Sequence, residues 1–425
     1  MEILLLSSYF QSAHATANGL CARSVRDALC KLGHHVTVIC YASHQEGAGE
    51  PDVIEVGEKK ELRYYGSNIG VRIKSYTDSI RSLFRPYSDR KLKDAYKTAA
   101  VEVMHNKKID MIVAFYFPLE TLIAASELKA EYPDIKTVTY ELDSMGDGIS
   151  KNSALEGMKT KVFEHYVDRL YSHIDQIIVM RAHEAFWRQT HERHLRKVQI
   201  ADIPMILMDT GPKGEIVCER DYFECIYAGL LDTNYRNPQY FLMLLSEINR
   251  DAIFLKAHFY SKGDCEETLK EVEEKTGYLK THGYVSKEIL DCASERTSCF
   301  ISLGNANSKS VPSKIFSYIS KVKPIIHLST QENDVCIDYF SRYPLALVLR
   351  EGDGLEENAE KIRRFLANCA ERTVEVKGIT ETFRENTPSF SANLIVSAAI
   401  SQTDSSYGTT RKTTLKQKNR TARRY

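Results

Sequence analysis

The segment that decides the fold is CFISLGNANSKSVPSKIFSYISKVKPII, residues 299–326. A short apolar run, Cys299–Leu303, leads into a small polar loop. Pro312 and the serine after it favour the start of a helix that ends near Lys321, before a second apolar run. Strand, helix and strand in this order predict two parallel strands joined by a crossover helix.

The same alternation runs through the rest of the chain. Ile3–Ser7, a helical pattern over Gly19–Leu32 and the β-branched run Val36–Tyr41 form one strand–helix–strand unit, with Gly33 as the expected helix terminator. A turn-rich stretch over residues 209–214 interrupts the pattern, and a second alternating series follows. Two α/β halves of similar size, each with a parallel sheet, are therefore expected.

Composition excludes several classes of protein. The chain has 425 residues, 43% of them hydrophobic, and 57 basic residues balance 57 acidic ones. That is enough apolar material for a core, and no global charge recruits nucleic acid. No apolar run reaches the roughly 18–20 residues of a membrane-spanning helix, and the N-terminus does not fit a signal peptide. Ten cysteines without a Cys-x-x-Cys pair indicate free thiols in a reducing cytoplasm.

Two loops after strands of the first half carry candidate catalytic residues. His14 lies in the loop after the first strand, where parallel sheets place ligands, although an exposed loop histidine is the alternative. That loop lacks the dinucleotide fingerprint. Glu141, Asp143 and Asp147 follow the strand Thr137–Tyr140, and polar groups there are expected to face a crevice. Asp143 could orient a sugar hydroxyl or act as a general base; a helix N-cap with glycine turns is the plainer interpretation.

The second half carries candidate phosphate ligands. Gly229 ends a strand, and Arg236 lies just before a helix that Pro238 is expected to open. A guanidinium beside exposed helix N–H groups can grip a diphosphate, although Arg236 could also be a surface residue. The helix start at Ser310–Ser313 offers backbone N–H groups and hydroxyls, and Lys314 adds charge.

No metal site is persuasive in the sequence. His191 and His194 are three residues apart, but no further ligand is evident, so a solvated helix face is expected.

These motifs resemble a known family. The stretches GYVSKEIL (residues 283–290) and PSKIFSYISKVKPII (residues 312–326) look like the donor half of GT-B glycosyltransferases. The retaining family 4 group (glycosyl transferases group 1) of bacterial surface polysaccharide synthesis is the nearest type. Its members commonly read Pro-Ser-Lys-(Ile/Leu)-(Phe/Tyr)-Glu-Tyr-(Leu/Met)-Ala-x-Gly-Lys-Pro-Ile-Ile here. In the first half of the chain, GHHVTV (residues 33–38) and the helix–strand unit over residues 163–179 also resemble the family pattern. The resemblance therefore spans about residues 1–400.

The resemblance implies two Rossmann-like domains with parallel sheets facing across a cleft. It implies that Arg236 contacts the donor diphosphate and that Ser310, Val311, Pro312 and Ser313 surround the donor sugar and distal phosphate. Gly19 would face the reaction centre, with Asp143 beside acceptor and donor sugar. The donor set expected from residues and resemblance together has nine members: Gly19, Gly229, Arg236, Ser310, Val311, Pro312, Ser313, Lys314 and Ser317.

Two departures from the family pattern stand out. Ser317 occupies the position of the glutamate that holds the nucleotide ribose, and Lys309 stands at its partner position eight residues earlier. Leu230 replaces a second basic residue that often follows the strand glycine. The resemblance therefore predicts weaker or altered nucleotide binding, and it leaves a degenerate, inactive copy open.

The expected organisation has five parts. Residues 1–205 form the acceptor-side domain, 206–220 a linker and 221–380 the nucleotide-sugar-binding domain. By the resemblance, residues 381–401 cross back as a helix to the first domain. Residues 402–425 form a disordered basic tail, with seven basic and no acidic residue after position 410.

The basic tail and the segment Arg72–Lys97 are candidates for peripheral contact with an anionic membrane. The segment mixes apolar residues with basic ones, as a surface-bound amphipathic helix would. For Arg72–Lys97 the alternative is a charged helix packed on its own domain, and for the tail it is a solvated end without a role.

The sequence thus predicts a glycosyltransferase, and the family resemblance alone implies that it is of the retaining, hexosyltransferase type. It would move sugar from a UDP- or GDP-sugar to a hydroxyl of a glycan or lipid-linked acceptor, in capsule, exopolysaccharide or lipopolysaccharide synthesis. It requires no metal or other cofactor, binds no nucleic acid, and works in the cytoplasm at the inner face of the plasma membrane. A non-catalytic GT-B-like subunit acting through a protein partner is the main alternative. A sugar-nucleotide epimerase or hydrolase and, from the tail alone, a nucleic-acid-binding protein are the others.

Overall fold

The computed structural model describes residues 1–10, 17–41, 50–57, 88–142, 156–205, 221–305, 311–370 and 376–400. The chain divides into two compact units. The first comprises Met1–Pro204 together with the chain from Pro388 onward, and the second comprises Met205–Thr387. Each unit is built around its own parallel sheet.

The first unit contains a seven-stranded sheet in the order β3-β2-β1-β4-β5-β6-β7, and every pair of neighbours is parallel. The strands are β1 (Glu2–Leu6), β2 (His35–Tyr41), β3 (Val53–Val56), β4 (Met111–Tyr116), β5 (Lys136–Glu141), β6 (Gln176–Met180) and β7 (Val198–Ala201). The helices are α1 (Ala17–Lys31), α2 (Arg90–Asn106), α3 (Leu119–Glu131), α4 (Glu156–Ser172) and α5 (Glu184–Thr190). Short 3₁₀ turns span Arg181–His183 and Glu192–Lys197.

The strands of the first unit are buried because helices cover them, which is why they are nearly continuous apolar runs. Every residue of β4 and β6 is buried, and so are all but the first residues of β1 and β2. Helix α1 ends where predicted, since Gly33 adopts φ 83°, a left-handed conformation that favours glycine. Asp89 caps the start of α2 by accepting hydrogen bonds from the backbone N–H groups of Lys91 and Leu92.

The second unit contains a six-stranded parallel sheet in the order β10-β9-β8-β11-β12-β13. Its strands are β8 (Phe223–Leu231), β9 (Leu255–Gly263), β10 (Leu279–Thr281), β11 (Cys299–Leu303), β12 (Ile325–Ser329) and β13 (Ala346–Arg350). Its helices are α6 (Gln239–Ile248), α7 (Glu266–Lys275), α8 (Lys287–Arg296), α9 (Lys314–Ser320), α10 (Cys336–Arg342), α11 (Leu355–Ala370) and α12 (Val376–Thr382), followed by a 3₁₀ turn at Arg384–Asn386.

The strand order of the second sheet reverses between β8 and β11. From β8 the chain proceeds outward through β9 and β10, and from β11 it proceeds the other way through β12 and β13. In open parallel sheets, ligands bind outside the carboxyl ends of the strands at such a reversal. The first sheet reverses in the same way between β1 and β4.

The last described helix, α13 (Pro388–Ile400), belongs to the first unit. It packs against α1, and the hydroxyls of Tyr140 and Ser391 lie 2.9 Å apart. The side-chain amide of Gln176 donates to the carbonyl of Leu394 at 3.1 Å. The chain therefore returns to its first sheet after completing the second.

The α/β class with two parallel, Rossmann-like sheets is confirmed. The apolar run Ile253–Ala257 predicts a strand that ends at Ala257, but β9 continues six residues further, to Gly263. The linker predicted over 206–220 and the tail over 402–425 lie outside the described residues. Within the described part of the chain, no helix is long and apolar enough to span a membrane.

Candidate functional site

A cavity of about 300 Å³ opens at the carboxyl ends of β8 and β11, at the reversal of the second sheet. It gathers five of the predicted donor residues: Gly229, Arg236, Pro312, Ser313 and Lys314. The rest of its wall is Tyr227, Ala228, Leu230, Ile301, Ser302, Leu303, Ile315 and Tyr318. Residues far apart in sequence thus meet where the topology favours a ligand.

The cavity exists because β8 and β11 stop pairing early. Their ladder covers only Cys225 with Cys299 and Ile226 with Phe300. Beyond it, the Tyr318 hydroxyl takes the place of the missing strand partner and accepts a hydrogen bond from the backbone N–H of Ala228 at 3.0 Å. The Tyr318 ring stacks on Phe300, with centroids 4.3 Å apart. Helix α9 is therefore anchored between the diverging strands.

Arg236 is held by the loop that leads into α6. Asp232 and Arg236 exchange two backbone hydrogen bonds, of 2.8 and 3.2 Å, which close this loop. The guanidinium donates from Nε to Asn305 Oδ1 at 2.8 Å and from Nη1 to the carbonyl of Leu230 at 3.4 Å. Arg236 forms no ion pair with a carboxylate of the described residues, so its charge is available to an anion.

Lys314 is the first residue of α9. Its Nζ is 3.7 Å from the position that a Cβ on Gly229 would occupy. Lys314 as a whole residue is exposed, but its ammonium lies close to Gly229 in the cavity wall. Burial of the ammonium, and then repulsion by Arg236 and Lys262, lowers the pKa of Lys314 to about 8. An anion bound here would relieve that repulsion.

Lys262 is a site residue that the sequence pattern does not reveal. It lies opposite Leu230 in the parallel register of β8 and β9. It lines a second cavity of about 150 Å³ that shares Gly229, Leu230 and Lys314 with the first. The signal in the sequence is a lysine followed by glycine at a strand end, but that strand was expected to stop before His258.

The remaining predicted donor residues lie elsewhere. Val311 is buried beside the cavity and Ser317 is half-buried on α9, and neither contributes to the cavity wall formed by the described residues. Gly19 belongs to the first unit, where a Cβ would lie 1.6 Å from the carbonyl oxygen of Tyr9. This contact explains why the position is glycine. Ser310, His14 and Asp143 lie outside the described residues.

Glu141 corrects the expectation that carboxylates after β5 face a crevice. Its side chain is 1% exposed and belongs to the core of the first unit. The Tyr171 hydroxyl donates to Glu141 Oε1, and Trp187 Nε1 donates to Oε2 at 3.1 Å. Burial raises the pKa of Glu141 to about 8 despite these two donors. Strand β5 includes Glu141, one residue more than the predicted strand Thr137–Tyr140.

His191 and His194 were expected on a solvated helix face, and that prediction is wrong. They belong to a buried cluster around Asp168. His191 Nδ1 lies 2.8 Å from Asp168 Oδ1, and His194 Nε2 lies 3.1 Å from the Asp168 carbonyl oxygen. Both histidines are at most 5% exposed. Their ring nitrogens serve this structural network.

Among the described residues, one group of side chains could hold a metal ion, namely His327, Asp334 and Cys336 in the second unit, with ligand atoms within 4.8 Å of one another. His327 already uses both nitrogens, at 3.0 Å from Ser302 Oγ and 2.9 Å from Asp334 Oδ2. Burial and the Asp334 carboxylate raise the pKa of the Cys336 thiol, which disfavours the thiolate that a metal would need. The group forms a hydrogen-bonded part of the core.

The membrane segment predicted over Arg72–Lys97 is described only from residue 88. In that part, Lys93 Nζ lies 3.0 Å from Glu127 and Lys97 Nζ lies 2.5 Å from Glu131, both on α3. Leu92 is buried in the core. These contacts favour a charged helix packed on its own domain for the described residues.

Comparison with solved structures places this architecture. The lipopolysaccharide outer core galactosyltransferase WaaB superposes with a TM-score of 0.54 and 10% identity, over 94% of this chain and 99% of that one. Sucrose-phosphate synthase from Thermosynechococcus elongatus superposes with a TM-score of 0.58 and 12% identity, over 96% of this chain and 98% of that one. WaaG, a glycosyltransferase involved in lipopolysaccharide biosynthesis, superposes with a TM-score of 0.54 and 11% identity, over 93% of this chain and 99% of that one.

These structures are GT-B glycosyltransferases, and the chain shares their fold along nearly its whole length. No protein-family model matches the sequence, and no curated protein matches it. At identities near 10%, the likeness establishes the GT-B fold that the motifs predict.

Proposed function

We propose that this protein is a glycosyltransferase that moves a sugar from a nucleotide-sugar donor to a hydroxyl of a glycan or lipid-linked acceptor. The observation that carries the proposal is the cavity at the reversal of the second sheet, where Arg236 and Lys314 converge without a carboxylate partner among the described residues. The similar solved structures include enzymes named for sugar transfer in lipopolysaccharide synthesis. The setting we propose is capsule, exopolysaccharide or lipopolysaccharide synthesis.

The chemistry required of the second unit is stabilisation of a departing diphosphate. As the bond between the sugar and the diphosphate breaks, negative charge grows on the leaving oxygen. A guanidinium and an ammonium held in place beforehand stabilise that charge without a metal ion. Pro312 and Ser313 lie at the start of α9 in the same wall and are proposed to bound the sugar and its phosphate.

The finer points of the reaction rest on the resemblance to the retaining family 4 enzymes. Retention of anomeric configuration and a hexose as the transferred group are part of the proposal. Asp143 and His14 are proposed beside the acceptor, with Gly19 holding the early loop close to α1. The ribose carboxylate of the family has no counterpart at Ser317, so nucleotide affinity has to come from other contacts.

The alternative of a non-catalytic GT-B-like subunit is not favoured, because the similar solved structures bear the names of enzymes. Its sequence support is the loss of the family carboxylate at Ser317 and of a basic residue at Leu230. Such a subunit would bind nucleotides without consuming them.

The direct test is turnover. The full chain is incubated with UDP-, GDP-, CMP- and dTDP-sugars, with and without lipid-linked glycans extracted from bacterial membranes, and release of the nucleotide product is followed. The proposal expects release from one nucleotide class that depends on the acceptor and is lost in Arg236→Ala. Acceptor-independent release would support a hydrolase instead, and binding without consumption would support the non-catalytic subunit.

We also propose that the enzyme works in the cytoplasm, at the inner face of the plasma membrane, with the 402–425 tail or the part of the segment Arg72–Lys97 that precedes residue 88 touching anionic lipid. Co-sedimentation with phosphatidylglycerol vesicles tests this contact. Binding by the full chain that weakens on deletion of residues 402–425 supports the tail, and no binding at low salt rejects membrane contact.

A further inference from the structure

The second unit has two adjoining cavities, and their charges differ in position. Arg236 lines only the cavity of about 300 Å³, and Lys262 lines only the cavity of about 150 Å³. Lys314 lines both, together with Gly229 and Leu230. Lys314 therefore lies between the other two cations, since it borders both cavities and its ammonium interacts with Arg236 and Lys262.

None of the three cations has an acidic partner within the described part of the chain. Their mutual repulsion is visible at Lys314, whose pKa falls through burial and then through both neighbours. Three unpaired cations in a row are costly in the empty protein and complementary to two adjacent phosphates. A single phosphate would engage only one end of the row.

The walls of the two cavities also differ in chemistry. The small cavity is lined by the aromatic rings of Tyr260 and Tyr284 and by the apolar side chains of Val285 and Leu290. Tyr284 is 75% exposed, and the Lys262 ammonium lies 4.8 Å from its ring centroid. The Tyr260 ring is half-buried and stacks on His282, with centroids 4.3 Å apart. The exposed Tyr284 ring with its adjacent cation suits a flat base that can stack. The large cavity also has two tyrosine rings in its wall, but both Tyr227 and Tyr318 are buried, so we assign this cavity to the sugar rather than to the base.

We propose that Lys262 is a phosphate ligand that fixes the orientation of the bound nucleotide. The nucleoside lies on the Tyr260 and Tyr284 side, Lys262 holds the phosphate next to the nucleoside, and Arg236 holds the phosphate next to the sugar, with Lys314 between them. This inference rests on the proposed function, because it assigns the two ends of the same donor. It also supplies a cation beside Leu230, which carries no charge of its own.

The orientation makes nucleoside mono- and diphosphates respond differently to mutation. A monophosphate retains only the phosphate assigned to Lys262, whereas a diphosphate also reaches Arg236. Lys262→Ala should therefore weaken the binding of UMP and UDP, or of GMP and GDP, by roughly tenfold each, since charge-assisted hydrogen bonds are among the stronger contacts. Arg236→Ala should weaken binding of the diphosphate by roughly tenfold and change the Kd of the monophosphate by no more than about twofold.

The experiment is calorimetric titration of the full chain with UMP, UDP, GMP and GDP. Lys256→Ala is the matched control, because Lys256 lies on the same strand, stacks on Tyr222 at 4.1 Å and lines neither cavity. Lys262→Arg should restore binding. Thermal unfolding of each variant confirms that the exposed substitution leaves the fold intact.

The proposal is overturned if Lys262→Ala leaves both nucleotides unaffected, or if it weakens the diphosphate alone. It is also overturned if the wild-type protein binds none of the four nucleotides at millimolar concentration. Lys262-dependent binding without consumption of any nucleotide-sugar supports this inference and rejects the proposed transfer reaction. The two claims can therefore fail separately.

Discussion

Arg236 and Asn305 join the ends of two strands, since the guanidinium Nε donates to Asn305 Oδ1 at 2.8 Å. Asn305 follows β11, and Arg236 belongs to the loop after β8. The Asn305 carbonyl oxygen in turn accepts from Gln331 Nε2 at 2.7 Å, after β12. Asn305 thus links three strand ends, through its side-chain oxygen to Arg236 and through its backbone carbonyl to Gln331, and its side chain fixes the direction of the proposed diphosphate ligand.

Removing this link should weaken nucleotide binding without removing a ligand. In Asn305→Ala, Arg236 must be ordered by the nucleotide itself, and we expect a loss of about 1 kcal/mol, or roughly fivefold in Kd. Calorimetric titration with the nucleoside diphosphate measures it. Asn234→Ala, an exposed change on the Arg236 loop, is the control and should have no effect.

A double-mutant cycle separates this positioning role from a direct contact. In the Arg236→Ala background, Asn305→Ala should cost nothing further. Additive losses from the two substitutions would contradict the link and would assign Asn305 its own contact with the ligand.

Nucleotide affinity should depend on the protonation of Lys314. Its pKa is about 8 in the unliganded protein, and a bound phosphate favours the charged form and raises it. Binding therefore takes up a proton above pH 8, and Kd should increase as pH rises through 8, by at most about tenfold per pH unit. Titrations between pH 7 and 9 measure this change.

Lys314→Arg is the matched variant for that pH profile, because arginine keeps its charge over this range. It should bind the nucleotide with an affinity that stays flat between pH 7 and 9. An identical slope in wild type and Lys314→Arg would assign the pH dependence to another group.

Glu141 should make the stability of the first unit fall as pH rises. Its pKa is about 8 in the folded protein and near 4.5 when exposed, so between these values the native state holds a proton that the unfolded state has lost. The free energy of unfolding should decrease by about 1.4 kcal/mol per pH unit from this group. Glu141→Gln should remove that part of the slope in urea denaturation between pH 5.5 and 7.5. Parallel curves for the two proteins would show that Glu141 is ionised in the fold.

Gly19 should tolerate no side chain, because a Cβ would lie 1.6 Å from the carbonyl oxygen of Tyr9. Gly19→Ala must push α1 away from the loop after β1, at a cost of about 3 kcal/mol. Gly157→Ala is the control, since that glycine is also helical but has no atom within 4 Å of the new Cβ. It should be neutral or stabilise by about 0.5 kcal/mol in urea denaturation. Equal effects of the two changes would contradict the close contact.

The parallel sheets were predictable because their central strands are buried on both faces and read as apolar runs. Three of the four edge strands were not, since β3, β7 and β10 have only four, four and three residues. The extension of β9 was missed because its polar residues alternate with buried ones. Burial follows Leu255, Ala257, Phe259 and Ser261, which is the period of a strand rather than a continuous run.

The site was predictable where charge and turn residues coincide, as at Gly229, Arg236 and Lys314. Lys262 was not, because its place follows from the register of β8 and β9 and not from its neighbours in sequence. Glu141 was wrongly predicted to face a crevice, because its neighbours in sequence do not indicate its burial. Its polar neighbours suggest a loop, whereas its partners Tyr171 and Trp187 come from later helices that no local pattern reveals.

The central claim is that the second unit binds a nucleotide-sugar through Arg236. Thermal unfolding of the purified chain with UDP-, GDP-, CMP- and dTDP-sugars tests it most directly. At 100 times its Kd, a ligand stabilises the fold by about 2.7 kcal/mol. We expect stabilisation by one nucleotide class, lost in Arg236→Ala and retained in Asn234→Ala. No stabilisation by any of them at millimolar concentration, or equal stabilisation of wild type and Arg236→Ala, would contradict it.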